Sequence, residues 1–238
     1  MLNIAVIGSS GTIGKVFIKT LNVIFPNAEI NAFGRVVEKN TLNNVKLHQI
    51  NYNDETSIAN AAEISALTGP LDLVIVATGV LHDGQVKPEK SIQDISFFKF
   101  QYLFAANTIF PALIAKYFLP KLARDRQSVF AALSARIGSI SDNSLGGWYS
   151  YRASKAALNM VIKNLAIEMK VRNKQAIIVG LHPGTVDSKL SQPFQTSVPK
   201  GKLFTPEYAV DKMICVLNGL TLKDSGKCFA WDGSEILP

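Results

Sequence analysis

The sequence predicts an α/β fold, a doubly wound and mostly parallel sheet with helices on both faces, and three observations lead there. Short apolar runs alternate with helical patterns along all 238 residues, the signature of βαβ units. A Gly/Ser-rich turn joins the first run to the first helical pattern. One run, LDLVIVA at residues 71–77, is apolar almost throughout, as a strand covered on both faces must be.

Each element follows in order. Residues 2–7 form a first strand closed by Gly8, and a helix is predicted over 12–25. Strands are predicted over 28–33 and 45–50, then a polar helix over 54–67 and the buried strand at 71–77. A long apolar helix over 97–122 leads to a strand over 128–133. A Gly/Ser-rich segment, 134–149, enters another helix over 150–171. A strand over 176–181, a long Pro-containing loop over 183–204, a helix over 206–218 and a last strand over 227–231 complete the chain. No repeat or interdomain linker interrupts this order, so residues 1–238 read as one domain. The 183–204 loop is longer than ordinary connections, which makes it a candidate substrate lid.

Composition narrows the function. A hydrophobic share of 47% and a charged share of 18% suit a compact enzyme rather than a disordered chain. The net charge of +7 comes from 25 Lys and Arg against 18 Asp and Glu. The basic residues are scattered, with no nucleic-acid motif among them; a basic protein that binds a polyanionic cofactor is the simpler reading, and no nucleic-acid partner is expected. Lys99, Asn107, Pro111, Lys116 and Pro120 interrupt the most apolar stretch, so no membrane partner is expected. Cys215 and Cys228 lack metal-ligand spacing, and Met1 leads directly into a strand pattern, so a reduced, cytoplasmic location is expected.

Three segments carry chemistry. In Gly8-Ser9-Ser10-Gly11-Thr12-Ile13-Gly14, glycines permit a tight turn and close backbone approach to a diphosphate. The following helix offers free N–H groups and the positive end of its dipole. Ser9, Ser10 and Thr12 can add hydroxyl contacts. The second strand ends Asn31-Ala32-Phe33-Gly34-Arg35. An NAD site places an acid here for the ribose hydroxyls, whereas a basic residue suits a 2′-phosphate. The missing acid and Arg35 favour NADP(H) over NAD(H), with a solvated surface arginine as the alternative. In Tyr151-Arg152-Ala153-Ser154-Lys155, residues four apart share a helix face. A phenol with an ordinary pKa of about 10 is brought toward the working range of a general acid/base by a nearby ammonium.

Taken with Ala77-Thr78-Gly79, Asn107, Ser139 and Pro183-Gly184, these segments resemble, in order and over nearly the whole chain, the motif set of the short-chain dehydrogenase/reductase family. The stretch GSISDNSLGGWYSYRASKAALN is similar to the branch of sniffer-type carbonyl reductases and bacterial C-factor proteins. The resemblance implies a Rossmann-like fold and hydride transfer between a nicotinamide and a carbonyl or alcohol small molecule. It implies that Tyr151 exchanges a proton with the substrate oxygen, and that Lys155 holds the nicotinamide ribose and activates Tyr151. Ser139 would hold the substrate oxygen, with Ser134 and Ser141 as competitors, and Asn107 would anchor a proton relay. Pro183, Gly184, Val186 and Ser188 would border the nicotinamide; Asn51 would meet the adenine; Ala77 and Gly79 would line the adenosine side. A homodimer or homotetramer built on the two long helices is implied as well.

Three departures stand out: Thr12 occupies the place of the family's middle glycine, the turn lacks a basic residue, and Ala77-Thr78-Gly79 replaces Asn-Ala-Gly. His48, His82 and His182 lack acidic or Cys companions, so no metal site is expected. An apolar pocket lining is expected from Leu145, Trp148, Leu190 and Phe194, with Trp231 nearby. The alternative to an enzyme is a dinucleotide-binding signalling or sensor protein of the same fold.

Overall fold

The computed structural model describes residues 1–37 and 41–238. One eight-stranded sheet draws its strands from residue 3 to residue 236. The strands are β1 (Asn3–Ile7), β2 (Glu29–Gly34), β3 (Val45–Gln49), β4 (Leu73–Val76), β5 (Ser128–Leu133), β6 (Ala176–His182), β9 (Cys228–Ala230) and β10 (Glu235–Ile236). A separate two-stranded pair, β7 (Thr185–Val186) and β8 (Leu203–Phe204), ties together the ends of the long loop predicted over 183–204. The main sheet runs β10-β9-β6-β5-β4-β1-β2-β3, parallel except for β10. Strand order reverses between β1 and β4, the switch point at which open α/β sheets bind their ligands.

Helices cover both faces. On one side α1 (Thr12–Ile24) and α6 (Pro206–Gly219) bury Phe17, Leu21, Val210 and Met213 against Ile4, Val6, Val179 and Leu181. On the other, α2 (Glu55–Ser65), α4 (Phe110–Phe118) and α5 (Tyr149–Arg172) bury Ile58, Phe118, Leu158 and Ile162 against Ala5, Ile7, Phe130 and Ile178. Local sequence explains the starts. Asp54 caps α2 by accepting from the Thr56 N–H, and Thr205 caps α6 ahead of Pro206 at its first position.

The long helix predicted over 97–122 is one continuous run with a defect in the middle. It begins as α3 (Phe97–Phe104), widens into a π-turn over Ala105–Ile109, and continues as α4. Pro111 has no N–H to offer the Asn107 carbonyl, so regular helical bonding fails there, and Phe110 N–H reaches back to Ala105 O instead. Residues 97–121 have the length and mean hydropathy of a bilayer-crossing helix, so their polar interruptions do not by themselves exclude one; half of the most apolar window is buried within the fold.

Candidate active site

A cavity of about 760 Å³ opens at the carboxyl ends of the central strands. Its floor is the Gly-rich turn. Gly8 has φ +95°, and a Cβ there would lie 2.8 Å from the Ala77 carbonyl oxygen. A Cβ on Gly14 would lie 2.1 Å from Gly8 O. These two glycines therefore let strand, turn and helix close on one another. α1 starts after Gly11 with no side-chain cap and no acidic residue in its first turn. Its N-terminal N–H groups and dipole are left for an anion. Ser10, Thr12 and Ile13 line the cavity with Gly11 and Lys15. Ser9 is buried beside Gly34 and does not. The Thr78 hydroxyl is buried in the same wall without a hydrogen-bond partner among the described residues. Among the described residues, four lysines (Lys15, Lys155, Lys189 and Lys202) and no carboxylate line the cavity. A glycine cradle, an uncapped helix and this sign of charge fit a diphosphate-bearing dinucleotide.

At the other end stand Tyr151 and Lys155, 8% and 3% exposed. Both line the cavity from the first turns of α5. Lys155 Nζ donates to Leu133 O at 2.8 Å. A Cβ on Gly79 would lie 3.5 Å from that nitrogen and 3.6 Å from Asn107 Oδ1, so these groups converge. α5 can come this close because Gly138 carries no side chain: a Cβ there would lie 2.8 Å from the Lys155 backbone. Burial pushes the Tyr151 phenol up to about 12 and the Lys155 ammonium down to about 8. The expected lowering of the Tyr151 pKa by Lys155 is not found: burial alone shifts the phenol, which holds its proton at neutral pH.

Asn107 lies inside the π-turn, wholly buried, and does not reach the cavity wall. Its amide accepts from Val80 N–H and donates to Val80 O, each at 2.8 Å, and donates to Ser154 Oγ at 3.1 Å. It thereby links the strand-end loop to the helix that carries Tyr151.

The serine expectation needs correction. Ser134, Ala135 and Ile137 line the cavity, and Ser139 does not. The turn over Arg136–Gly138 carries Ser139 into a buried position, where its Oγ lies 3.3 Å from Ser141 Oγ and accepts from Asp142 N–H. Ser141 donates to Pro238 O, and Ser134 donates to Asn159 Oδ1 at 2.6 Å.

Ala77, Gly79, Pro183, Gly184, Val186 and Ser188 line the cavity. Gly184 has φ +77°, and a Cβ there would lie 2.6 Å from the Phe204 ring. Arg35 and Asn51 are exposed at the ends of β2 and β3 and do not line it. The Arg35 guanidinium lies 5.9 Å from the Tyr52 ring centroid, and Asn51 Oδ1 accepts from Asn53 N–H.

Trp148, Leu190 and Phe194 form an apolar wall near Tyr151, with Trp148 and Phe194 rings 4.8 Å apart. Leu145 is 89% exposed and lies outside it. Trp231 packs on Phe204 instead of entering the cavity. Sequence reasoning missed Glu89, a buried residue that replaces the absent cap of α5. Its carbonyl accepts from Trp148 N–H and its carboxylate from both Ser150 N–H and Oγ. Among the described residues no group of three or more His, Cys, Asp or Glu gathers to hold a metal.

Known proteins share this fold. The family model for short chain dehydrogenases matches residues 3–198. The C-signal protein of Myxococcus xanthus is 31% identical over 169 residues, 71% of this chain and 93% of that protein. An NADPH-bound carbonyl reductase from chicken fatty liver superposes with a TM-score of 0.85 at 24% identity, covering 100% of this chain and 94% of the other. The carbonyl reductase Sniffer of Drosophila melanogaster gives 0.85 at 21% identity over the whole of both chains. With its Gly-rich turn, its Rossmann-like sheet and its Tyr–Lys helix, the chain belongs to the short-chain dehydrogenase/reductase family.

Proposed function

We propose that this chain is an NADP(H)-dependent oxidoreductase acting on a carbonyl or alcohol small molecule, with Tyr151 as the proton-exchanging group. One observation carries the reading: Tyr151 and Lys155 are buried on the wall of the same cavity whose floor is the uncapped, glycine-lined start of α1. When bound, the nicotinamide supplies or accepts the hydride. The protein's part is to exclude water, orient the carbonyl and manage one proton. Tyr151, protonated at neutral pH, donates to the carbonyl oxygen during reduction. Lys155, on the same face, offers its ammonium to the ribose and to the phenolate left behind. Asn107 holds the Val80 loop against α5 and anchors the proton path. NADP(H) is favoured over NAD(H) because Arg35 follows β2 and no acid stands there.

The reading includes a cytoplasmic location, supported by the free cysteines Cys215 and Cys228. It also includes a homodimer or homotetramer, supported by Phe97 and Ile109 on the α3–α4 run and by Met160 and Val171 on α5, which are apolar and exposed. The test of activity is NADPH absorbance followed with a panel of aldehydes, ketones and quinones. Turnover of at least one panel compound is expected. NADPH binding without any turnover would favour the second reading, a dinucleotide-binding signalling protein, which the 31% identity to C-signal supports.

A further inference from the structure

β6 ends in His182, which lines the cavity beside Pro183. Its place is fixed by pairing. Leu181 is in register with Leu133, whose carbonyl receives Lys155 Nζ, and Ser134 N–H donates to Leu181 O. Alternation along the strand puts His182 on the same face as Gly180. That face is covered by α5, since a Cβ on Gly180 would lie 3.3 Å from Ile162 Cδ1. The imidazole therefore shares its side of the sheet with the helix that carries Tyr151 and Lys155.

The two ring nitrogens differ. Nδ1 is buried with no hydrogen-bond partner among the described residues, whereas Nε2 is not among the buried unpartnered atoms. A proton on Nδ1 would be a buried donor without an acceptor, and orphaned N–H groups are rarer in folded proteins than under-satisfied acceptors. With the proton on Nε2, the N–H belongs to the nitrogen that the fold does not bury without a partner, and only the Nδ1 lone pair is orphaned. Burial, with the nearby Arg136 charge, drives the ring down to about 4, so at neutral pH the imidazole carries a single proton. Ser139, the expected holder of the substrate oxygen, faces its own loop, and Ala135 presents a methyl group to the cavity. His182 is then an uncommitted polar side chain on this wall.

We propose that His182 is a substrate-binding residue: its imidazole, held as the Nε2–H tautomer, donates a hydrogen bond to an oxygen acceptor on the substrate lying in the cavity beside Tyr151. The substrate class this favours is a carbonyl compound whose oxygens face the β6 end of the cavity. Its apolar body would lie toward Trp148 and Phe194. The assignment rests on the oxidoreductase reading, and its test separates the two.

Long-range proton–nitrogen correlation spectra of the full chain at pH 7 should show His182 as the neutral Nε2–H tautomer. An Nδ1–H tautomer would overturn the proposal. Steady-state kinetics with NADPH and the panel carbonyl turned over best then compare His182→Phe with His182→Gln, whose amide can place a donor near the Nε2 position. One net hydrogen bond corresponds to a three- to tenfold change, by about 1 kcal/mol. His182→Phe should raise KM by about that factor with NADPH affinity unchanged, and His182→Gln should recover most of it. Unchanged kinetics in His182→Phe, or equal losses in both variants with NADPH binding intact, would overturn the assignment while leaving the oxidoreductase reading in place. A wild-type chain that turns over no panel carbonyl would instead remove the oxidoreductase reading.

Discussion

Lys155→Met tests the electrostatics of the site without any substrate. Lys155 is 3% exposed, and burial lowers its ammonium from the ordinary 10.5 to about 8. At about 1.36 kcal/mol per pKa unit, holding the charge inside the fold below pH 8 costs roughly 3 kcal/mol. Between pH 8 and 10.5 the unfolded chain binds a proton that the folded chain has released, so wild-type stability rises with pH across this window. Methionine matches the unbranched stem of lysine up to the ammonium and removes the charge, at the loss of the hydrogen bond to Leu133 O, worth about 1 kcal/mol. The variant should therefore be more stable than wild type by roughly 2 kcal/mol at pH 6.5. For a chain of this size that is about 4–8 °C in Tm. Near pH 10 the cost of the charge has fallen to roughly 1 kcal/mol, which the lost hydrogen bond offsets, so the advantage should vanish. Thermal unfolding of both cofactor-free proteins at the two pH values measures it. A difference that is the same at both pH values, or a variant less stable at pH 6.5, would refute the claim that Lys155 is a desolvated cation.

Three further outcomes follow from the same geometry. Gly14→Ala forces a Cβ to within 2.1 Å of Gly8 O; it should lower Tm by overpacking worth about 1–3 kcal/mol and weaken NADPH binding, read by fluorescence titration. Asn107→Leu leaves the Val80 N–H and carbonyl unpaired, and urea unfolding should show a loss of about 2 kcal/mol or more. Arg35→Ala should weaken NADPH binding more than NADH binding; equal effects on both cofactors in parallel titrations would remove Arg35 from phosphate recognition.

The mostly parallel sheet was legible because most strands between β1 and β6 are short apolar runs next to helical patterns; β3, Val-Lys-Leu-His-Gln, is the polar exception at the sheet edge. The turn at Gly8–Gly14 was legible because a close backbone approach leaves only glycine at Gly8 and Gly14. Features that depend on contacts distant in sequence were not legible. Glu89 caps a helix that starts 60 residues later, and Asn107 acts through a π-turn that Pro111 induces. The placement of Ser139 is decided by the turn over Arg136–Gly138, which counting back from Tyr151 cannot reveal. Leu145 looks like a pocket residue by hydrophobicity, yet it sits two residues before the left-handed Gly147 and points into solvent. His182 drew notice only as a histidine without metal-ligand companions, because neither the orphaned nitrogen nor the cavity has a signature in sequence.

The central claim is that Tyr151 delivers the proton, and a single-turnover comparison tests it most directly. With NADPH saturating and the best panel carbonyl, Tyr151→Phe should bind NADPH as wild type does and oxidise it at least about 10²-fold more slowly. A Tyr151→Phe protein that oxidises NADPH at the wild-type rate would contradict the account.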